Sequence, residues 1–200
     1  MDLMKKDHRP TIEVRELTPP LWPDVEKLFG PRGACGGCWC MYWRVEKGEK
    51  WDDVKGAPAR ARLKKLVSSG KAKGVLAYAG GEPVGWCTFG PRPDFSRLNR
   101  ARTLACDDAD RVWSVPCFFI RRDFRRKGVA TALLVKAVDV MRREGVTAIE
   151  GYPTRPSKPA RARSIPDAFA WTGTLPLFEK LGFTIAGNRE GSKPRVRLSL

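Results

Sequence analysis

Residues 118 to 131 read Phe118-Phe119-Ile120-Arg121-Arg122-Asp123-Phe124-Arg125-Arg126-Lys127-Gly128-Val129-Ala130-Thr131. An apolar strand-like run enters a basic turn, and Gly128 opens a helical pattern. The first amides of a helix have no intrahelical partners and lie at the positive end of its dipole. With hydrogen at Gly128 and a methyl at Ala130, the backbone can come close to an anion, and the spacing suits a pyrophosphate. Arg125, Arg126 and Lys127 add charge where a phosphate would arrive.

The second chemistry-bearing run is Gly33-Ala34-Cys35-Gly36-Gly37-Cys38-Trp39-Cys40-Met41-Tyr42-Trp43-Arg44. Three thiols so spaced admit a zinc site, an acyl-cysteine at Cys38 or Cys40, or small buried apolar side chains. Structural zinc takes four ligands, no second cysteine pair has knuckle spacing, and the one histidine, His8, lies near the N-terminus. No metal is expected.

Arg125-x-x-Gly128-x-Ala130, after a strand and at the start of an amphipathic helix, resembles the acetyl-CoA signature of the GNAT N-acetyltransferase superfamily. Phe178-Glu179-Lys180-Leu181-Gly182-Phe183 is similar to a segment near the end of that fold. The resemblance implies an α/β (α+β) GNAT fold, with one mixed, mostly antiparallel central sheet of about seven strands flanked by helices. It implies acetyl-CoA as co-substrate and direct attack, in a ternary complex, by a primary amine of a small molecule or peptide.

On the same resemblance, acetyl-CoA falls to Phe118, Phe119, Ile120, Arg125, Arg126, Lys127, Gly128, Val129, Ala130 and Thr131. The strand before the signature splays from its neighbour, and a main-chain amide at Phe118 or Phe119, with Phe119 preferred, holds the oxyanion. Glu150 is the expected general base, ahead of Asp110 and Glu82. Phe178 stands where the family often has a tyrosine acid, and Trp171 where an asparagine is common. Tyr152, Thr172 and Thr174 remain as donors, Tyr152 first. The connection between the first two helices covers the acceptor side, which assigns substrate binding to Cys38, Trp39, Cys40, Tyr42 and Trp43.

The elements that must position these groups are legible as patterns. Thr11 to Leu17 alternates as a strand, and Pro20 to Phe29 and Arg60 to Val67 read as helices. Gly74 to Tyr78 and Pro83 to Phe89 flank Gly80-Gly81 as a hairpin. Val112 to Ile120 is a buried-type strand in which Pro116 marks a bulge or a break in pairing. Gly128 to Glu144 is the strongest helix, with Val129, Leu133, Leu134, Ala137, Val138 and Met141 on one face. Ala148 to Tyr152 is a strand, Thr154 to Pro166 a loop, and Leu177 to Leu181 a short helix closed by Gly182. Phe183 to Ala186 and Val196 to Leu200 make a final antiparallel pair. Residues 1–10 read as a flexible tail and 11–200 as a single domain.

The chain has 200 residues, with 38 Lys and Arg against 22 Asp and Glu, a formal charge of +16. Such a field attracts polyanions, but no nucleic-acid-binding motif accompanies it, so nucleic acid is expected only through non-specific charge. Six cysteines without a secretory signal point to free thiols, and no apolar run reaches membrane-spanning length. The expectation is a bacterial, cytoplasmic protein without membrane contact, compatible with a homodimer. The alternative readings are an acyl-CoA-binding sensor of the same fold without turnover, which Phe178 favours, and a basic nucleic-acid-binding protein.

Overall fold

The computed structural model describes residues 10–155, 167–187 and 189–200. Residues 1–9 of the expected tail and 156–166 of the expected loop lie outside the described residues.

Seven strands form one sheet in the order β1-β2-β3-β4-β5-β7-β6. They are β1 (Glu13–Glu16), β2 (Lys73–Ala79), β3 (Glu82–Pro91), β4 (Trp113–Ile120), β5 (Ala148–Gly151), β6 (Thr184–Gly187) and β7 (Arg195–Ser199). Every pairing is antiparallel except β4 with β5. One face carries α5 (Val129–Arg143) and α6 (Leu175–Glu179); the other carries α1 (Trp22–Phe29) and α3 (Ala57–Ser68). Two four-residue helices, α2 (Trp51–Val54) and α4 (Ser96–Asn99), lie in the connections.

The boundaries follow local chemistry. Gly56, at φ +80°, and Pro58 in the first turn start α3 three residues before the expected Arg60. Leu175 and Pro176 likewise start α6 ahead of Leu177. The six apolar residues expected on the inner face of α5 are all buried. That helix rests on β3 at Gly85, where an added Cβ would meet Val129 Cγ1 at 2.7 Å.

β4 is irregular at the expected place. Thr88 faces Cys117 while Gly90 faces Ser114, so β4 carries one extra residue, a bulge at Val115-Pro116. On either side of it the facing changes. Trp113 and Val115 pack with α5, as do Phe118 and Ile120, whereas Cys117 and Phe119 pack with α1 and α3. Pairing with β5 spans only Trp113 to Val115, so from Pro116 onward β4 has left that neighbour.

Candidate active site

A cavity of about 520 Å³ lies where β4 has left β5, bounded by Phe118, Phe119 and Ile120 on one side and Gly173, Thr174 and Leu177 on the other. Arg125, Arg126, Gly128, Ala130 and Thr131 close its basic end. The turn is tight: Arg126 has φ +58° and Gly128 φ +83°, and Arg125 Nε donates to the Ile120 carbonyl at 3.2 Å. An added Cβ at Gly128 would meet nothing within 4 Å, so its backbone faces open space. The first helical bond runs from Ala132 N–H to Gly128 O. The amides of Val129, Ala130 and Thr131 precede it, at the positive end of the α5 dipole. Lys127 and the Val129 side chain stand apart from this wall. Lys127 lies over the Phe124 ring at 5.2 Å, and Val129 is buried against Gly85.

Arg121 N–H donates to the Val84 carbonyl, and the register pairs Trp86 with Phe119 and Cys87 with Phe118. Amides along a strand alternate in direction. The Phe119 N–H therefore points at β3, and those of Phe118 and Ile120 point into the cleft. Of the two amides anticipated for an oxyanion, the cleft receives that of Phe118.

A second cavity, about 450 Å³, opens on the α1 face and shares Ala34, Cys35, Phe118, Phe119 and Trp171 with the first. Its walls are rings. Tyr42 meets Trp171 edge-on at 5.3 Å and Trp51 at 5.4 Å, while Phe29 meets Phe119 at 5.6 Å and Trp86 at 5.8 Å. Cys38, Cys40 and Cys117 add thiols, and Lys193, whose Nζ lies 4.7 Å from the Trp171 ring centre, adds a cation. Burial pushes the Cys38 thiol up to about 11 and holds the Lys193 ammonium below its ordinary value.

Among the five residues expected to bind substrate, Cys38, Cys40 and Tyr42 line this cavity. Trp39 is buried instead against Trp22 and Phe29, with ring centres at 6.1 and 5.5 Å. Trp43 is buried beneath Tyr42 and donates its indole N–H to the Pro116 carbonyl at 3.1 Å. Trp51, Trp86 and Trp171 line the cavity as well.

Glu150 and Tyr152 lie elsewhere. Glu150 is fully buried, and its Oε2 accepts from Arg92 at 2.9 Å. Its Oε1 accepts from Arg195 and, at 2.8 Å, from Arg197. The Tyr152 hydroxyl is shared among Arg92, Ser114 and Glu150, and burial drives its pKa up. Neither residue belongs to the wall of either cavity. Phe178 is fully buried on the α5 face, its ring against Gly151, Phe118 and Phe183. Thr174 lines the first cavity, while Thr172 is buried. Among the described residues, no group of three or more His, Cys, Asp or Glu side chains is placed to hold a metal ion.

The family model described as "Acetyltransferase (GNAT) family" matches residues 39–163. Among solved structures, the GNAT domain of S. lividans PAT superposes with a TM-score of 0.55 at 16% identity, over 97% of this chain and 98% of that one. A GCN5-related N-acetyltransferase from Kribbella flavida gives 0.54 at 19%, over 94% and 98%. The putative acetyltransferase yncA from Salmonella typhimurium, solved with its cofactor acetyl-CoA, gives 0.52 at 14%, over 94% of each chain. No curated protein matches.

Proposed function

The chain belongs to the GNAT acetyltransferase family and transfers an acyl group from acetyl-CoA; from that premise we propose that its acceptor is a primary amine, attacking directly in a ternary complex. The observation that carries this reading is the meeting of the two cavities at Phe118 and Phe119. A cofactor arm on the β4 edge would bring its thioester to the wall of the aromatic cavity. Residues 11–200 act as one domain, and the six free thiols suit the reducing cytoplasm.

In this reading the amides of Val129, Ala130 and Thr131 hold the pyrophosphate, with Arg125 and Arg126 beside them. The Phe118 N–H faces the carbonyl oxygen as it becomes an oxyanion. One donor of this kind contributes roughly 3–4 kcal/mol to transition-state stabilisation in comparable sites. The rings of Tyr42, Trp51, Trp86 and Trp171 exclude water and position an apolar acceptor. Glu150 is a positioning residue. It ties β5 to β7 and to Arg92, and so fixes the strand from which β4 separates.

Calorimetric titration of acetyl-CoA into wild type and Gly128→Glu tests this reading. Micromolar binding that is lost in the variant, followed by acceptor-dependent release of CoA thiol, is the expected result. Absence of binding by folded wild type overturns it. Binding without CoA release under any amine would mark an acyl-CoA sensor.

A further inference from the structure

The aromatic cavity is chemically lopsided. Rings form most of its wall, and among its described lining residues there is one basic side chain, Lys193, and no carboxylate. Its volume of about 450 Å³ falls in the range of small-molecule sites, roughly 300–1,000 Å³. Lys193 is half-buried just ahead of β7, with its Nζ 4.7 Å from the Trp171 ring centre. Trp171 also lines the cavity bounded by Phe118, Gly128 and Thr131. The ammonium therefore stands beside a residue at which the two cavities meet.

The other side of Lys193 is basic as well. With Tyr42 and Trp51 it lines a third cavity, of about 620 Å³, to which Lys47, Arg97 and Arg100 bring charge. The two acids there, Glu46 and Glu49, are engaged. Glu46 accepts from the Ser96 hydroxyl at 2.6 Å, and Glu49 is paired with Arg62 at 2.7 Å. The Tyr42 ring between the cavities is braced by Trp43 at 5.2 Å and by the Arg97 guanidinium at 4.1 Å.

We propose that the acceptor is an α-amino acid with an aromatic side chain, its carboxylate received by Lys193 and its ring by Tyr42, Trp51 and Trp171. The proposal rests on the acetyl-CoA reading above. One cation and no anion on the wall select a ligand with a single negative charge, and a second cationic group would meet Lys193 with like sign. An ammonium has three N–H donors, so Lys193 can receive a carboxylate and keep the contacts it has. Burial disfavours its charged form, and a carboxylate beside it favours that form. The amine must stand near Phe118 and Phe119 to reach a thioester. Since Lys193 lies at Trp171, which borders both cavities, the acid belongs on the carbon that bears the amine. Edge-on rings around the remaining volume suit a further ring.

Rates of CoA release are compared for L-phenylalanine, for phenethylamine, which lacks the carboxylate, and for L-alanine, which lacks the ring. In kcat/KM, wild type should favour phenylalanine over phenethylamine by roughly ten- to a hundred-fold, as a hydrogen bond to a charged group contributes. It should favour phenylalanine over alanine by roughly ten-fold or more, as burial of a phenyl group contributes. Lys193→Met keeps the length and removes the charge, and should erase the first preference through KM. Lys193→Arg should retain it, and Lys193→Glu should invert it. Equal losses on phenylalanine and phenethylamine in Lys193→Met mark a structural role and overturn the proposal. Wild type that uses phenethylamine or alanine as well as phenylalanine overturns it too. The same three compounds are titrated calorimetrically into wild type and Lys193→Met, with and without CoA, so that binding decides if no amine is acetylated. Phenylalanine that binds wild type no more tightly than phenethylamine overturns the proposal. Acetyl-CoA is titrated alongside: folded wild type that binds phenylalanine as expected but no acetyl-CoA condemns the parent reading, and one that binds acetyl-CoA without the carboxylate preference condemns this one.

Discussion

Trp43 and Pro116 are joined by a buried hydrogen bond, the indole Nε1–H donating to the proline carbonyl at 3.1 Å. The cysteine- and tryptophan-rich loop is thereby fastened to β4 at its bulge, the point from which the strand leaves β5. Trp43→Phe keeps a ring and deletes the donor, leaving a buried carbonyl unpaired. The expected loss is about 1–3 kcal/mol, read from urea unfolding at constant m-value. Acetyl-CoA affinity should fall less than the apparent affinity for acceptor.

Phe178→Tyr tests whether the hydroxyl common at that place in the family would help this chain. The Phe178 ring lies against Gly151, where an added Cβ would meet its Cε1 at 2.2 Å and its Cζ at 2.6 Å. A hydroxyl on Cζ enters a fully buried region, and Phe178 is not part of the wall of either cavity. The variant should be less stable by about 1–3 kcal/mol, with no gain in CoA release. A rise in turnover would show that the ring reaches the leaving sulfur.

Glu150→Gln separates a positioning role from a basic one. Removing the charge strands Arg92, which is 1% exposed, without its carboxylate. Breaking one partner out of a buried pair costs about 3–5 kcal/mol. Urea unfolding should register that loss, while turnover at a temperature where the variant stays folded should survive. Abolished turnover at unchanged stability would restore Glu150 as the base.

Much of this was within reach of pattern reading, for reasons that differ by residue. Six apolar residues at helical spacing reveal α5, and Gly80-Gly81 between two β-rich runs reveals the β2–β3 hairpin. Pro116 betrays the bulge because it brings no N–H to the ladder. The convergence of Arg92, Arg195 and Arg197 on Glu150 has no such signal, because those arginines lie 58, 45 and 47 residues away along the chain. Which indoles face the cavity is equally hidden. From Gly33 to Cys40 six residues take positive φ, so no period tells Trp39, turned inward, from Tyr42, turned to the cavity. The Phe118 amide required the register of β3 as well as the motif.

Cys38 supplies a pH prediction. Its pKa is raised to about 11, first by burial and then by the charge of Cys40, against about 8.5 in the unfolded chain. A thiol whose folded pKa is raised binds its proton more tightly when folded. Its contribution to stability is therefore complete below about pH 8.5 and is lost as pH climbs toward 11. Cys38→Ser should flatten the alkaline fall of the unfolding midpoint in that window. Alkylation of Cys38 in the folded protein should stay slow until the upper end of it.

The extra residue in β4 has a consequence for how this enzyme can vary. Side chains of a strand alternate in parity, odd positions to one face and even to the other, and a one-residue slip exchanges every assignment beyond it. With the bulge in place, a thiol at 117 and a phenyl at 119 lie on the α1 face beside the aromatic cavity, and 118 and 120 lie on the α5 face. Deleting one residue at Val115-Pro116 would reverse all four at once. It would also turn the cleft-facing amide toward β3. Point substitutions in the aromatic walls can thus reshape which acceptor fits, whereas the length of this one strand admits no gradual change.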